Sequence, residues 1–250
     1  ITPYDLHEEL TGRDNLAVGV SVAGYYIAFV ILFCGAYLGP SQGLLADLAL
    51  VGGYTLLGLV LLAVARIIND RLILHSLPVA EALQKQRNQA AGTLLGCNYI
   101  ASALVVAGAI HGQGGGVITA LAFFALGQAA LVIFSLIYEA LTAYSIQSQI
   151  ADNNLAAATG FGGTLIAIGI LVMAAASGDF VGWRHNLTVF GFELIAIFVY
   201  LILVRLFFDK ILIFKSDLNT EIARDRNLAA GLLEFASAVG FATLLFFMVG

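Results

Sequence analysis

The apolar residues of this chain fall into seven long runs: Leu16–Leu38, Leu44–Ile68, Gln89–Ile110, Val117–Glu139, Leu155–Ala176, Leu187–Phe208 and Leu228–Val249. A helix that crosses a bilayer needs about 20 mostly apolar residues, and each run supplies them. The runs are too long for membrane strands and lack the alternation of a barrel. The pattern predicts an all-α polytopic transmembrane helical bundle with seven visible spans in one membrane domain. The stretches between the runs alternate in character. Gly39–Gly43, His111–Gly116 and Ser177–Asn186 are short, whereas Ile1–Asn15, Asn69–Asn88, Ala140–Asn154 and Asp209–Asn227 are longer and polar.

Composition excludes other classes. Of 250 residues, 60% are hydrophobic and 11% charged, against about 25% charged in ordinary soluble domains. A soluble globule could not hide so much apolar surface. The Lys and Arg residues then orient the spans. Arg13, Arg66, Arg71, Lys85, Arg87, Arg205, Lys210, Lys215, Arg224 and Arg226 lie on the side of the longer linkers, and Arg184 alone lies opposite. By the positive-inside rule the longer linkers face the cytoplasm, with Phe180 and Trp183 at the outer interface. The net charge is −5 and there is no basic arm, which argues against a nucleic-acid partner. Cys34 and Cys97 sit inside apolar runs and read as packing residues. No Cys/His cluster has metal-ligand spacing, and no cofactor is implied.

Each longer linker ends in Asn followed by small residues: Asn15-Leu-Ala-Val-Gly, Asn88-Gln-Ala-Ala-Gly, Asn154-Leu-Ala-Ala-Ala and Asn227-Leu-Ala-Ala-Gly. The first and third, and the second and fourth, are both 139 residues apart. That offset also sets Arg66 on Arg205, Asp70 on Asp209 and Arg71 on Lys210. The chain reads as four parallel two-helix units: an incomplete one over 1–43, then 44–116, 117–186 and 187–250. The incompleteness predicts one further membrane helix upstream of Ile1, eight in all. Asn is among the best helix N-caps, because its side-chain oxygen accepts from an orphan backbone N–H, and that role is expected of all four.

Positions within the second helices are counted from each Asn. Offsets +2, +9 and +13 carry Ala17, Ala90, Ala156, Ala229; Gly24, Cys97, Gly163, Ala236; and Ala28, Ala101, Ala167, Gly240. All twelve are small and share one helix face. Small residues let membrane helices approach closely, so this face is the expected packing seam. Offset +10 carries Tyr25, Asn98, Thr164 and Ser237, all polar and about 15 Å into the helix. Glu193 and Glu234 also lie inside spans, where an unpaired carboxylate is costly. These six residues are either interhelical hydrogen-bond partners or the lining of a polar pathway. Arg66 and Arg205 lie near the inner helix ends, where they can snorkel or pair with Asp70 and Asp209.

The tandem two-helix units, the (Asp/Arg)-Asn-x-Ala-x-Gly start of the second helix and the Arg-x-x-x-Asp end of the first resemble the uncharacterised YjfL-like inner-membrane proteins of bacteria. That group is a domain of unknown function found in single or tandem copies. Unit three departs from the pattern, because Asp152-Asn-Asn154 lacks the Arg and Ala158 replaces the Gly. The resemblance implies an inner-membrane location and supplies neither an activity nor a catalytic residue. No phosphate loop, H-E-x-x-H or Ser/His/Asp set appears, so no enzyme is expected. Two classes of function remain. One is a membrane scaffold or assembly subunit whose cytoplasmic linkers hold lipids or a protein partner. The other is a proton, cation or small-solute pathway through Glu193, Glu234 and the +10 residues, within one chain or between protomers of a homo-oligomer. The spans contain no proline, which leans towards the scaffold, since broken helices are the mark of transporters.

Overall fold

The longer linkers do not run straight into the next helix. In the computed structural model, which describes residues 4–38, 43–112, 114–207 and 218–249 (the side chains of 204–207 and 249 excepted), a short helical turn precedes each capping Asn. Nine α-helices are described: α1 Leu16–Tyr37, α2 Leu44–Leu72, α3 Val79–Gln84, α4 Gln89–Ile110, α5 Val117–Leu141, α6 Ile146–Ala151, α7 Leu155–Ala176, α8 Trp183–Phe207 and α9 Leu228–Val249. Two π-helical turns, Glu8–Gly12 and Thr220–Arg224, stand where α3 and α6 stand in the other linkers. Seven helices (α1, α2, α4, α5, α7, α8 and α9) are long and apolar enough to cross a membrane. Lys210, Lys215 and Asp209 lie outside the described residues, as does the side chain of Arg205.

The turn before each Asn is built the same way. The preceding residue adopts the left-handed conformation, with φ of 49° at Asp14, 49° at Arg87, 56° at Asn153 and 51° at Arg226. This reversal lets the Asn N–H donate back to the carbonyls of Glu9, Ala82, Gln149 and Glu221, each at 2.9 Å. The Asn Oδ1 then caps the coming helix, accepting from Val18, Ala91, Ala156 and Ala229 N–H groups. The Nδ2 does something that capping alone does not require. Asn15 donates to Leu83 O at 2.9 Å, Asn88 to Ile150 O at 2.7 Å and Asn154 to Ile222 O at 2.8 Å. Each thereby ties its own helix to the short turn of the next linker. Asn227, at the last such position, donates instead to Glu221 at 3.0 Å and is exposed.

The four capped helices stand in a row, α1–α4–α7–α9, each packed against its neighbours. Lipid supplies no hydrophobic drive between helices, so backbone proximity and dispersion must hold the row. The contacts recur at fixed offsets. A Cβ on Gly92 (+4) would overlap the carbonyl of Ala17 (+2), and one on Gly231 (+4) that of Ala156 (+2). Position +9 meets +8 of the next helix three times: Gly24 on the Gly96 backbone, Cys97 Sγ at 2.7 Å from where a Cβ of Gly162 would stand, and a Cβ on Gly163 at 2.5 Å from Phe235 Cα. Position +20 meets +19 twice: a Cβ on Gly35 would lie 2.8 Å from Ala107 Cβ, and one on Gly108 would lie 2.7 Å from Met173 Cα. Most of α4 and α7 is consequently buried, whereas α1 and α9 keep one face open. Helices α2, α5 and α8 lie over the junctions of the row, α2 on α1 and α4, α5 on α4 and α7, α8 on α7 and α9.

The first linker carries a buried carboxylate. Glu9 is 1% exposed and accepts from Asn15 Nδ2 at 2.8 Å and Arg13 Nη1 at 2.9 Å. The Asn15 hydrogen bond holds its carboxyl below the usual range, with the positive charge of Arg13 adding to the effect. A lowered folded pKa contributes stability that is complete above the ordinary value and is lost as pH falls through the folded one. Thermal unfolding in detergent, followed from neutral pH to about pH 3, is expected to show a loss of stability at the acid end. Glu9→Gln should flatten it, and an unchanged acid limb would assign the loss to other groups.

Candidate functional site

The largest buried polar group forms where α2, α4 and α5 meet. Asn69 lies on the face of α2 that turns to α4, one helical turn from Arg66 and beside Asp70. Asn69 Nδ2 donates to Asn98 Oδ1 at 2.8 Å and to Ser102 Oγ at 2.9 Å, both on α4. Gln128 Nε2, from α5, donates to Asn69 Oδ1. All four side chains belong to residues no more than 3% exposed. The positions follow from helix geometry, because Asn98 and Ser102 are i and i+4 and stack on one face.

Around this amide cluster sits a second layer. Arg66 Nε lies 3.5 Å from Asp70 Oδ2, the pairing expected from the sequence. Its guanidinium carbon is 5.8 Å from the centroid of the Tyr99 ring, within cation–π range. Tyr25 packs edge-on against Tyr99, with centroids 5.5 Å apart. Gln128 Oε1 and Asp70 Oδ1 are buried and accept no hydrogen bond from the described residues. The cluster can therefore hold three helices in register and still take up one or two small donors such as water. Among the described residues no group of His, Cys, Asp or Glu could hold a metal ion.

The six residues singled out along the spans do not converge. Asn98 alone among the +10 residues hydrogen-bonds to another helix; Thr164 Oγ1 and Ser237 Oγ bond back to Gly160 O at 3.3 Å and Leu233 O at 2.5 Å on their own helices. Glu234, on α9, accepts from Tyr138 of α5 and lies against Gly160, where the missing side chain leaves room for its carboxylate. Tyr138 in turn stacks on Phe161, centroids 5.3 Å apart. Glu193 is half-buried on α8. The two carboxylates thus lie on different helices with different neighbours. Asn69 and Gln128, which complete the interhelical amide cluster, lie at no shared offset. A lone amide inside an apolar run, as at Gln128, is the signal that points to it.

At the end of the bundle away from the capping asparagines is a cleft of about 670 Å³, lined by Tyr37, Asp47, Tyr54, His111, Thr119 and Asn186 among others. His111 follows Ser102 by nine residues along and just past α4, about 13 Å. The intervening layer of Leu61, Leu62, Val105 and Val106 is at most 4% exposed. Cleft and amide cluster are separated by packed aliphatic side chains.

The same chain can be placed among known proteins. A family model described as Domain of Unknown Function (DUF350) matches residues 1–110 and 114–249. The chain belongs to this family. It is also 22% identical over 254 residues to a UPF0719 transmembrane protein of Aquifex aeolicus (strain VF5), an alignment covering 98% of this chain and 90% of that one. No solved structure matches it. It is a transmembrane protein of an uncharacterised family.

Proposed function

We propose that this DUF350 protein is a membrane scaffold: a wall of closely packed helices that presents its linker turns to lipid headgroups or to a protein partner. One observation carries the reading. Asn98, Thr164, Ser237 and Glu234 are tied to neighbouring helices or to their own backbone, and buried aliphatic side chains stand between the cleft and the amide cluster. A conduit needs polar groups that line one continuous wet path, whereas these groups are spent on packing.

The orientation belongs to the same proposal. The Lys/Arg distribution and the YjfL-like resemblance support linker turns on the cytoplasmic side of a bacterial inner membrane. There the exposed Arg13, Lys85, Arg87 and Arg226 would face anionic headgroups, each worth about 1 kcal/mol of attraction near the surface.

Purified protein in sealed vesicles, assayed for proton and cation flux with pH- and potential-sensitive dyes, tests the reading. Flux no greater than through empty vesicles is expected. Flux that disappears in Glu234→Gln would replace the scaffold with a transport pathway.

A further inference from the structure

We infer that copies of this chain associate head to tail in the membrane, the open face of α9 in one copy docking on the open face of α1 in the next. The basis is continuity with the junctions inside the chain. The +9/+8 contact recurs at all three junctions, +2/+4 at α1–α4 and α7–α9, and +20/+19 at α1–α4 and α4–α7, so each capped helix has two distinct faces. Positions +2, +9 and +20 meet the following helix, and +4, +8 and +19 meet the preceding one.

Two faces remain unused. The preceding-helix face of α1 consists of Gly19, half-exposed, with Ala23 and Cys34 exposed. The following-helix face of α9 consists of Ala229, Ala236 and Phe247, all exposed. Continuing the row sets Ala229 on Gly19, Ala236 on Ala23 and Phe247 on Cys34. The first two pairs are as small as those inside the chain. Because neither partner at +9/+8 is Gly, the backbones there would stand about one methyl group further apart than at Gly24 and Gly96.

A polar observation independent of the small residues points the same way. Three of the four asparagines donate Nδ2 to a carbonyl of the next linker turn, those of Leu83, Ile150 and Ile222. Asn227 is left exposed beside Glu221. In the first linker the carbonyl at the corresponding place is that of Leu10. A second copy supplies it, together with small residues at the offsets used inside the chain. The contact is heterologous, so it builds a ring if the rotation per step closes and an open row if it does not. The repeats share one membrane polarity, so every copy inserts the same way.

The test uses the full-length protein in its membrane, with Cys34→Ala and Cys97→Ala as background. Two differently tagged copies are co-expressed, one with Ala236→Cys and the other with Ala23→Cys, and oxidised with copper–phenanthroline. A mixed-tag disulfide dimer is expected. With both substitutions in one chain, a ladder beyond the dimer is expected. Ala229→Leu, at an exposed position, should cut the mixed-tag product at least about fivefold without lowering expression or thermal stability. Absence of the mixed product overturns the inference. So does equal cross-linking of Ala23→Cys or Ala236→Cys copies with themselves, the mark of a two-fold contact, and so does product unaffected by Ala229→Leu.

Discussion

Gly92→Leu should leave almost no correctly assembled protein. The glycine lies where α4 crosses α1, and even a single Cβ there would overlap the carbonyl of Ala17. The obstacle is backbone, which cannot rotate away as a side chain can. Making room would part α1 from α4 along its length and undo the neighbouring contact of Gly24 with Gly96. Overpacking typically destabilises by 1–3 kcal/mol where side chains can adjust. With backbone on both sides the loss should exceed about 4 kcal/mol, the range reserved for disrupted cores. Reversible unfolding in mixed micelles would measure it. The control is Gly240→Ala, also a helical glycine of the capped row, where an added Cβ meets nothing within 4 Å. Its effect should be near zero or slightly stabilising, since alanine narrows the unfolded ensemble. Equal effects of the two variants would contradict the close approach of α1 and α4.

The second large effect is expected at Asn69. Alanine there removes three hydrogen bonds together and leaves Gln128 Nε2, Asn98 Oδ1 and Ser102 Oγ without that partner in a buried site. Interhelical hydrogen bonds in membranes average about 0.6 kcal/mol and reach about 1.7, and a stranded buried polar group adds about 1–3 kcal/mol. Asn69→Ala should therefore destabilise by about 3 kcal/mol. Ser102→Ala leaves Asn69 bonded to Asn98 and Gln128, and should lose about 1 kcal/mol. The double variant should be no worse than Asn69→Ala, because both changes delete the same bond. A loss below about 1 kcal/mol for Asn69→Ala would mean that water refills the site.

The spans were legible from run length. α4 and α7 begin and end where the apolar pattern places them, because each starts at a capping Asn and stops at a polar residue, and α9 likewise starts behind its Asn. α2 runs four residues beyond Ile68, to Leu72. Asn69 and Asp70 look like the end of a span, yet they stay helical, Asn69 hydrogen-bonded to α4 and α5 and Asp70 paired with Arg66. α8 starts at Trp183, before Leu187, so the outer linker is shorter than its polarity suggests. By pattern alone the short turns ahead of the asparagines look like plain linker. Five or six residues are too few to show periodicity, although their Leu83, Ile150 and Ile222 are buried. The amide cluster was half visible. Asn98 appears at a shared offset, but which residue meets it depends on how α2 leans over the row, and no spacing along one chain encodes that. The same reason separates Tyr25, Thr164 and Ser237, which share an offset with Asn98 and meet no common partner.

The stepwise row has an evolutionary corollary. Within the row each capped helix packs chiefly against the adjacent ones, so the energetics approach those of a nearest-neighbour array. Breadth is then a quantity that inheritance can change in whole steps: a lineage could gain or shed a complete hairpin without retuning the rest. A single-residue insertion within a capped helix is far more disruptive, because it turns every later side chain by about 100°. Such a gene should tolerate recombination at its linkers and resist frame-preserving insertions between them.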